Sequence, residues 1–498
     1  MYRDLTKGRI GSTLILFALP MIAGNLLQQF YNIADTLIVG QVLGRDALAA
    51  VGSAYTLMTF LTSVFLGLCM GSGALFSIYQ GRGDTASLKS SIFHAFCLIM
   101  SVTVVINIAV YAFIRPIMLF LRVPDEVYAG MRLYLLIVFA GIPATSLYNF
   151  FSCMLRALGN SSAPLIFLAV SAVLNVVLDI LFVAVLPFGI GGAALATVIA
   201  QYVSGIGIAV YVLIKCRSFL PEKSDRHFSA AILKEILNLS SLTCLQQSVM
   251  NFGILMVQGL VNSFGTVVMA AFAAAVKIDT FAYLPVQDFG NAYSTFVAQN
   301  FGAGEQERIR RGTKTAFVMS GIFSLIISAA VFIFAAPLMR TFIAASETQV
   351  IAAGVHYLRI EGAFYIGIGF LFLLYGYYRA IKRAGMSVVL TVISLGARVL
   401  LAYALSSISS IGVTGIWAAI PIGWFLADVT GLIYMKFLSS NAGTGVGAPG
   451  AHVAGPPGGT PRPGFIAKPA DGRPGAGAGA GPPGRAGVWG GGTPQPLV

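Results

Sequence analysis

Long apolar stretches that recur along the whole chain limit what this sequence can fold into. The stretches 13–34 and 92–114 contain no Asp, Glu, Lys or Arg, and each is long enough to cross a bilayer as a helix. Only 10% of the 498 residues are charged, whereas a soluble chain carries about a quarter. The first stretch is too long for a cleaved signal peptide and lacks a small-residue cleavage site, so we expect it to remain in the mature chain. The sequence therefore predicts an all-α polytopic membrane protein.

Twelve transmembrane helices can be drawn through the apolar stretches. They cover residues 13–39, 52–80, 91–114, 130–155, 162–186, 190–215, 238–263, 269–299, 314–336, 353–380, 386–408 and 413–438. Lys and Arg are concentrated in the segments that connect the spans on one side of the membrane, for example 215–237 and 308–314. The positive-inside rule places those segments and both termini in the cytoplasm. We expect a multi-pass protein of the plasma or inner membrane.

The net positive charge of the chain has the same cause, the excess of Lys and Arg in cytoplasmic segments. The formal net charge is +13, and excess Lys and Arg in cytoplasmic segments accounts for it without a nucleic-acid partner. The five cysteines lack metal-ligand spacing and mostly lie in apolar stretches, so they are interpreted as small core residues. No cofactor is predicted.

The composition changes abruptly after Leu438. Residues 439–498 are dominated by Gly, Pro and Ala and have no apolar periodicity, so they cannot bury a packed core. We interpret them as a disordered tail, and both a native element and a translated read-through stay open. No chemistry is assigned to this segment.

An internal repeat divides the membrane region into two halves. ALAAVGSA at 47–54 aligns with VMAAFAAA at 268–275, an offset of 221, and the turn YQGRGD aligns with NFGAGE at the same offset. At offset 223, Arg156-Ala157 aligns with Arg379-Ala380. An even number of spans per repeat gives both halves the same orientation, with a pseudo-two-fold axis along the membrane normal.

The repeat predicts a domain organisation. We expect a first lobe at residues 1–215, a cytoplasmic linker at 216–237 and a second lobe at 238–438, each lobe with six helices. A cleft between two such lobes is typical of a transporter. A channel or a membrane-embedded enzyme can also arise by duplication, so both stay open at this point.

A set of polar residues in the first half interrupts its apolar helices. Asp35 lies in the first span, Asn175 and Asp179 lie one helical turn apart in the fifth, and Thr197 lies in the sixth. An ionisable residue inside a membrane span is costly and is by default a functional hypothesis. Hard oxygen ligands suit Na⁺, and two neighbouring carboxylates would also hold one proton between them. The structural alternative is that these groups hydrogen-bond within and between helices, which is the favoured interpretation for Thr197 taken alone.

The second half does not repeat this set. Asn175 aligns with Arg398, Asp179 with Ala402 and Asp35 with about Gly253. The arginine excludes a cation site at these positions of the second half. Other polar residues there either line a cleft or neutralise one another. The candidate cleft-lining residues from both halves are Gln28, Gln29, Gln246, Lys277, Asp279, Asp288 and Arg398.

Across residues 8–438 the chain resembles the multidrug and toxic compound extrusion (MATE) transporters. The matching features are the six-plus-six layout and three stretches, ALPMIAGNLLQQFYNIADTLIVGQVLG, MLRALGNSSAPL and VAQNFGAGE. Within the family it looks like the DinF-like branch, whose first-lobe cation site uses an Asp in span 1, an Asn and an Asp in span 5 and a Thr in span 6. Asp35, Asn175, Asp179 and Thr197 match that pattern, and Pro20 matches a proline associated with bending of span 1. Another branch places an acid in the middle of span 10, where this chain reads FYIGIGFLFLLYG.

The resemblance implies a function. It points to antiport that exports drug-like, often cationic organic compounds in exchange for H⁺ or Na⁺, by a single chain that acts as a monomer in the lipid bilayer. A flippase for a lipid-linked precursor is the alternative on the same scaffold, and it would need cationic residues in the cleft, for which Lys277 and Arg398 are the candidates. A membrane-embedded enzyme is the alternative from another class, but the spans lack a clustered catalytic set.

Overall fold

The computed structural model describes the backbone of residues 3–120, 123 and 125–443, and the membrane region is almost entirely helical. Fifteen α-helices occur in these residues. They are α1 (Ile10–Leu43), α2 (Arg45–Arg82), α3 (Thr85–Ala112), α4 (Ile114–Phe120), α5 (Asp125–Val138), α6 (Ile142–Ala157), α7 (Ser162–Asp179), α8 (Gly189–Lys215), α9 (Ala230–Asn262), α10 (Thr266–Ala303), α11 (Gln306–Arg340), α12 (Thr348–Gly362), α13 (Tyr365–Ala380), α14 (Ala384–Ser406) and α15 (Val413–Gly443). The predicted tail from residue 444 onward lies outside the described residues.

These helices account for the twelve predicted spans. Within the described part of the chain, eleven helical stretches are long and apolar enough to cross a membrane. The twelfth span is the pair α12 and α13, which meet at a bend of 51°. Large apolar side chains on the outer surface, such as Val105, Leu213 and Leu400, are more than half exposed. An outer surface of this kind fits lipid, and the prediction of a polytopic helical membrane protein is confirmed.

The repeat seen in the sequence is reproduced in three dimensions. Helices α2 and α10 both contain 38 residues and occupy equivalent positions at the offset of 221. Both end at a glycine with positive φ, Gly83 at 71° and Gly304 at 79°, a conformation that glycine adopts without steric cost. Helices α6 and α13 both contain 16 residues and are related by the offset of 223. We define the first lobe as α1–α8 and the second lobe as α9–α15.

The linker segment between the lobes is partly helical. Helix α9 begins at Ala230, inside the basic segment 216–237, because the Ser229 hydroxyl accepts a hydrogen bond from the backbone N–H of Ile232 at 3.4 Å. An N-terminal serine of this kind satisfies one of the free N–H groups of the first turn. The helix therefore extends beyond its apolar part.

The two lobes meet at the end of the bundle that carries the basic segments, which we call the basic end. There α2 crosses α10 through Gly81 and Gly302, which are repeat equivalents. A Cβ atom on Gly81 would lie 1.8 Å from the Gln299 carbonyl oxygen, and one on Gly302 would lie 1.9 Å from that of Ile78. Residues 78 and 299 are also equivalent, so the crossing is symmetric. Only glycine allows two helix backbones to approach so closely.

The N-terminal segment closes the basic end further. The backbone N–H of Arg3 donates to the Gly159 carbonyl of the first lobe at 3.0 Å, and that of Leu5 donates to Gln299 Oε1 of the second lobe at 3.2 Å. Arg308 donates from its guanidinium to the Lys7 carbonyl at 2.7 Å. The segment before α1 thus ties both lobes together on the basic side.

Candidate functional site

The predicted first-lobe ion ligands come together where α1 packs against the end of α7. Asp179 is the last residue of α7 and is fully buried, and Asn175 lies one turn earlier with 2% of its surface exposed. The carboxyl groups of Asp35 and Asp179 lie within interaction range of each other. Directly after Asp179 the chain forms a π-helical segment, Ile180–Val185. Such segments are rare and are frequent at functional sites.

Most polar atoms of this group are buried and have no hydrogen-bond partner among the described residues. This is so for both carboxyl oxygens of Asp179, both side-chain amide atoms of Asn175 and Oδ1 of Asp35. A buried polar group left unpaired costs about 1–3 kcal/mol, and more if it is charged. Oxygen atoms that cluster without partners are the donor set that a proton or a hard cation such as Na⁺ satisfies.

Thr197 lies beside this group in a different role. Its hydroxyl donates to the Ala193 carbonyl of its own helix at 3.1 Å, which is the structural alternative considered for it above. The Tyr134 hydroxyl interacts with it. Thr197 is therefore satisfied locally, unlike the carboxyl and amide groups.

Two tyrosines that the sequence analysis does not single out complete the surroundings. Tyr31 and Tyr134 both lie within electrostatic range of Asp35 and Asp179. Tyr31 lies one helical turn before Asp35 on the same face of α1, so the spacing of i and i+4 is the available signal. Tyr134 belongs to α5 and has no such local signal.

A central cavity of about 280 Å³ lies between the lobes. Its walls come from α1, α2, α6, α7 and α8 of the first lobe and from α9, α10 and α13 of the second. Tyr31 borders the cavity, whereas Asp35, Asn175, Asp179 and Thr197 do not. The predicted ion ligands are thus separate from the central cavity and adjoin it through one side chain.

The predicted cleft residues divide into two groups. Pro20, Gln28, Gln246 and Asp288 line the cavity, and α1 continues as a helix through Pro20. The cavity lining does not include Gln29, Lys277, Asp279 or Arg398. Lys277 is exposed.

Three charged side chains of the described residues line the cavity. Asp288 of α10 accepts two hydrogen bonds from the Asn25 side-chain amide of α1, at 2.6 and 2.8 Å. Arg379, only 6% exposed, donates to Asn291 Oδ1 at 3.1 Å and to the Ser294 hydroxyl at 3.3 Å. Arg156 has a buried Nε that finds no hydrogen-bond partner in the described part of the chain. The sequence identifies both arginines only as repeat equivalents at offset 223 and does not place them at a cavity.

Two of the remaining predicted residues, Asp279 and Arg398, lie with Glu361 in a separate cluster in the second lobe. Asp279 and Glu361 are 2% and 6% exposed, and Arg398 lies within electrostatic range of both. The Tyr365 hydroxyl donates a hydrogen bond to Asp279 Oδ1, and Tyr357 interacts with both carboxyl groups. Asp279, Glu361 and Arg398 thus place opposite charges near one another and away from the cavity. This arrangement agrees with mutual neutralisation, the alternative to cleft lining.

Comparison with known proteins places the chain in a family. The MatE family model matches residues 20–181 and 242–404, one match in each half. Over 438 residues the chain is 31% identical to the probable multidrug resistance protein YpnP of Bacillus subtilis, covering 87% of this chain and 96% of YpnP. It is 24% identical over 413 residues to the probable multidrug resistance protein NorM of Thermotoga maritima, with coverage of 82% and 88%. It is also 23% identical over 429 residues to the FAD transporter of Shewanella oneidensis, with coverage of 84% and 92%.

Solved structures share the fold. A multidrug resistance MATE family transporter in an outward-facing conformation and a MOP superfamily transporter from Pyrococcus furiosus both match with a TM-score of 0.83. Each match has 23% sequence identity and covers 88% of this chain and 97% of the other. With the family model matched in both halves, this chain belongs to the MatE family, the multidrug and toxic compound extrusion transporters.

Proposed function

We propose that this protein is a secondary active antiporter that exports organic compounds of drug-like size in exchange for H⁺ or Na⁺. The observation that carries the proposal is the pairing of half-buried Asp35 with fully buried Asp179, whose carboxyl oxygens at Asp35 Oδ1 and on Asp179 are buried without a partner among the described residues. Tyr31 links this pair to a cavity shared by the two lobes. The cavity, at about 280 Å³, is near the lower end of the ~300–1,000 Å³ range of drug-sized sites. The multidrug resistance proteins among the relatives support this substrate class.

The ion-binding step follows from the chemistry of the pair. Two carboxylates that share a buried site cannot both stay ionised without a cation, so one proton or one Na⁺ belongs to the pair. Asn175 contributes an amide oxygen to the same ion, as in the DinF-like branch that the chain resembles. Thr197, the fourth ligand of that branch, would need to turn from its own backbone toward the ion.

Helix α1 connects the ion to the substrate cavity. It carries Asp35 near one end and Asn25, which holds Asp288 of the second lobe, about 15 Å away along the helix axis. Between them Tyr31 borders both places. Ion binding that shifts or bends α1, with Pro20 as the bending point, would alter the Asn25–Asp288 contact between the lobes. The ion then acts through its different affinity for the two states.

The contact between the lobes at the basic end suggests which conformational state of the transport cycle this structure represents. We take the basic end and both termini to be cytoplasmic by the positive-inside rule, in the plasma or inner membrane. The two lobes, α1–α8 and α9–α15, correspond to the expected segments 1–215 and 238–438 with α9 beginning earlier, at Ala230. They are joined at the basic end through Gly81 and Gly302, so this conformation would face outward. A single chain supplies both cavity walls, so transport needs only a monomer.

One specific observation favours the flippase alternative. Lys277 and Arg398 do not line the cavity, but Arg156 and Arg379 do, and cationic residues are what a phosphate-bearing lipid precursor would need. Membership of a transporter family sets aside the membrane-embedded enzyme.

The test is transport in proteoliposomes with a pH gradient or a Na⁺ gradient imposed separately. One of the two gradients should drive transport of a fluorescent dye, used as the drug-like substrate, by the wild type. Asp35→Asn should abolish this gradient-driven transport. Asp46→Asn is the matched control, because Asp46 is exposed at the start of α2 and its loss should leave the rate within about twofold. Full gradient-driven transport by the Asp35→Asn variant would overturn the proposed role of the pair.

A further inference from the structure

We propose that Arg156 and Arg379 together form an anion-binding pair in the central cavity, so that the transported compound carries a phosphate or carboxylate group. The inference rests on the proposed transport function and adds the charge class of the substrate to it. Such a substrate is an acid or a zwitterion, in contrast to the cationic compounds that the family resemblance implies.

The charges of the cavity wall favour an anion. Among the described residues that line it, the charged ones are Arg156, Arg379 and Asp288, so two cations face one anion. The carboxylate is already bound on both oxygens by Asn25. A lipophilic cation would find that acid already hydrogen-bonded and would meet two guanidinium groups nearby.

The two guanidinium groups converge from opposite lobes. Arg156 lies in the last turn of α6 and Arg379 in the last turn of α13, and they are equivalent at the repeat offset of 223. The Cys153 thiol lies within electrostatic range of both. Their nearness to one thiol means that the pseudo-two-fold axis brings these cations to one region of the cavity.

Neither arginine has a carboxylate partner at ion-pair distance among the described residues. Arg379 donates to two neutral side chains, and Asp288 lies within electrostatic range of Arg156 without an ion pair. A buried cation without a counter-ion carries a large desolvation cost. A bound anionic group would offset that cost for Arg379 and would give a partner to the buried Nε of half-buried Arg156, and guanidinium is the side chain best matched to phosphate and carboxylate.

The position of Arg156 and Arg379 at helix C-termini does not by itself explain why arginine lies in the cavity wall. A basic side chain in the last turn interacts favourably with the helix dipole, but it does so equally well from an exposed position. Arg379 is 6% exposed and borders the cavity. Burial at a shared cavity is the additional feature that points to a ligand.

The pair also gives the anion a role in closure. When the lobes come together at the basic end, two like charges approach each other in a region of low dielectric, which opposes closure. A bound anion reverses the sign of that interaction. Substrate that enters from the cytoplasm would therefore favour closing of the basic end behind it, as alternating access requires.

The rest of the wall describes the body of the substrate. The lining includes Tyr31, Tyr148, Phe372 and Tyr375, together with eight Asn and Gln side chains. Aromatic faces and amides of this kind suit a planar ring system with hydrogen-bonding groups. A planar aromatic acid is the simplest compound that meets both requirements.

The test compares two dyes that share a xanthene core and differ in charge. Fluorescein is an anion at neutral pH, and a rhodamine ester is a cation. Binding of each dye to the full-length protein in detergent and its transport in proteoliposomes under a pH or Na⁺ gradient are measured for the wild type and for Arg156→Gln, Arg379→Gln and Arg311→Gln. Arg311 is exposed and paired with Glu307 at the surface of α11, so its variant is the matched control.

We expect the wild type to bind and transport fluorescein in preference to the rhodamine ester. Each cavity variant should weaken fluorescein binding by at least about tenfold, the scale of one lost charge-assisted hydrogen bond, while Arg311→Gln stays within about twofold. If Arg379→Gln does not fold, Arg156→Gln decides the question. Preference for the rhodamine ester, binding of neither dye, or unchanged fluorescein binding by the cavity variants would overturn the inference. Arginine-dependent fluorescein binding without transport under either gradient would refute the proposed antiport and leave the anion site standing.

Discussion

Replacement of Gly81 by alanine should open the basic end of the protein. The added Cβ would lie 1.8 Å from the Gln299 carbonyl oxygen, whereas real Cβ atoms essentially never come within 3.0 Å of another heavy atom. The obstacle is backbone of the other lobe, so no side-chain rotation relieves it. The helices would have to separate by about 1.2 Å to reach even that shortest contact.

The magnitude depends on the free-energy cost of such overpacking. Extra carbon atoms forced into a packed contact destabilise it by about 1–3 kcal/mol, and here that cost applies only to the state in which α2 and α10 cross. The ratio of closed to open molecules should therefore fall ~5–150-fold. Gly302→Ala should act alike, because its Cβ would lie 1.9 Å from the Ile78 carbonyl oxygen.

Cys153 provides the assay, because this native thiol borders the central cavity. In a variant that keeps Cys153 as its only cysteine, a membrane-impermeant maleimide is added to everted vesicles, which expose the basic end in the proposed cytoplasmic orientation. Labelling should be slow in the parent and should become markedly faster with Gly81→Ala or Gly302→Ala.

Gly396→Ala is the matched control for this experiment. A Cβ atom at Gly396 of α14 meets no described atom within 4 Å, so it should stabilise the helix slightly, by about 0.5–1 kcal/mol, without a change in labelling. Equal labelling rates for Gly81→Ala and Gly396→Ala in folded protein would refute the reasoning that this crossing closes the basic end.

Two further predictions concern the polar clusters. Arg398→Met should lower the stability of the detergent-solubilised protein by about 1–3 kcal/mol, because two buried carboxyl groups, Asp279 and Glu361, lose the cation that lies within electrostatic range of both; thermal unfolding measures it, and a melting temperature equal to that of the wild type would contradict it. Thr197→Val should leave gradient-driven transport within about twofold, because that hydroxyl is already bonded to its own helix; a loss as large as that of Asp35→Asn would mean that Thr197 turns to the ion during transport.

The spans and the repeat could be predicted from the sequence because both are written in local patterns. Apolar length alone marks a membrane helix, and two copies of one unit keep their spacing. Helices α2 and α10 have the same length and the same glycine caps, and the capping glycines align in the sequence as Gly83 and Gly304. The bend between α12 and α13 and the early start of α9 are not marked in this way, and the prediction missed both.

The membership of the cavity could not be predicted in the same way. Gln28 and Gln29 are neighbours in the sequence, yet only Gln28 lines the cavity, because successive residues on a helix point about 100° apart. Which of those directions faces the cavity depends on the packing of α1 against other helices, and no local pattern records that. The same reason separates Lys277, which is exposed, from Asp279, which is buried.

Arg156 and Arg379 show a different limit. Their equivalence is visible in the sequence, but a basic residue at the end of a membrane helix usually belongs to the positive-inside pattern, and nothing in the sequence distinguishes a buried one. The distinguishing fact is that both side chains line the cavity between the lobes, which only the assembled fold provides.

Position relative to the pseudo-two-fold axis explains which polar features the two halves share. Residues near the axis meet the other copy of their own segment, as Gly81 does at Gln299 and Gly302 does at the equivalent Ile78, so a change in one copy disturbs a contact made by both. Residues far from the axis meet only their own lobe and can diverge, and the Asp179 position of the first lobe accordingly corresponds to Ala402 in the second. On this argument the shared cavity retains paired groups such as Arg156 and Arg379, while the proposed coupling ion would be confined to one lobe. Ion binding as proposed would act on one lobe only, and the Asn25–Asp288 contact between α1 and α10 would be the place where that asymmetry reaches the other lobe.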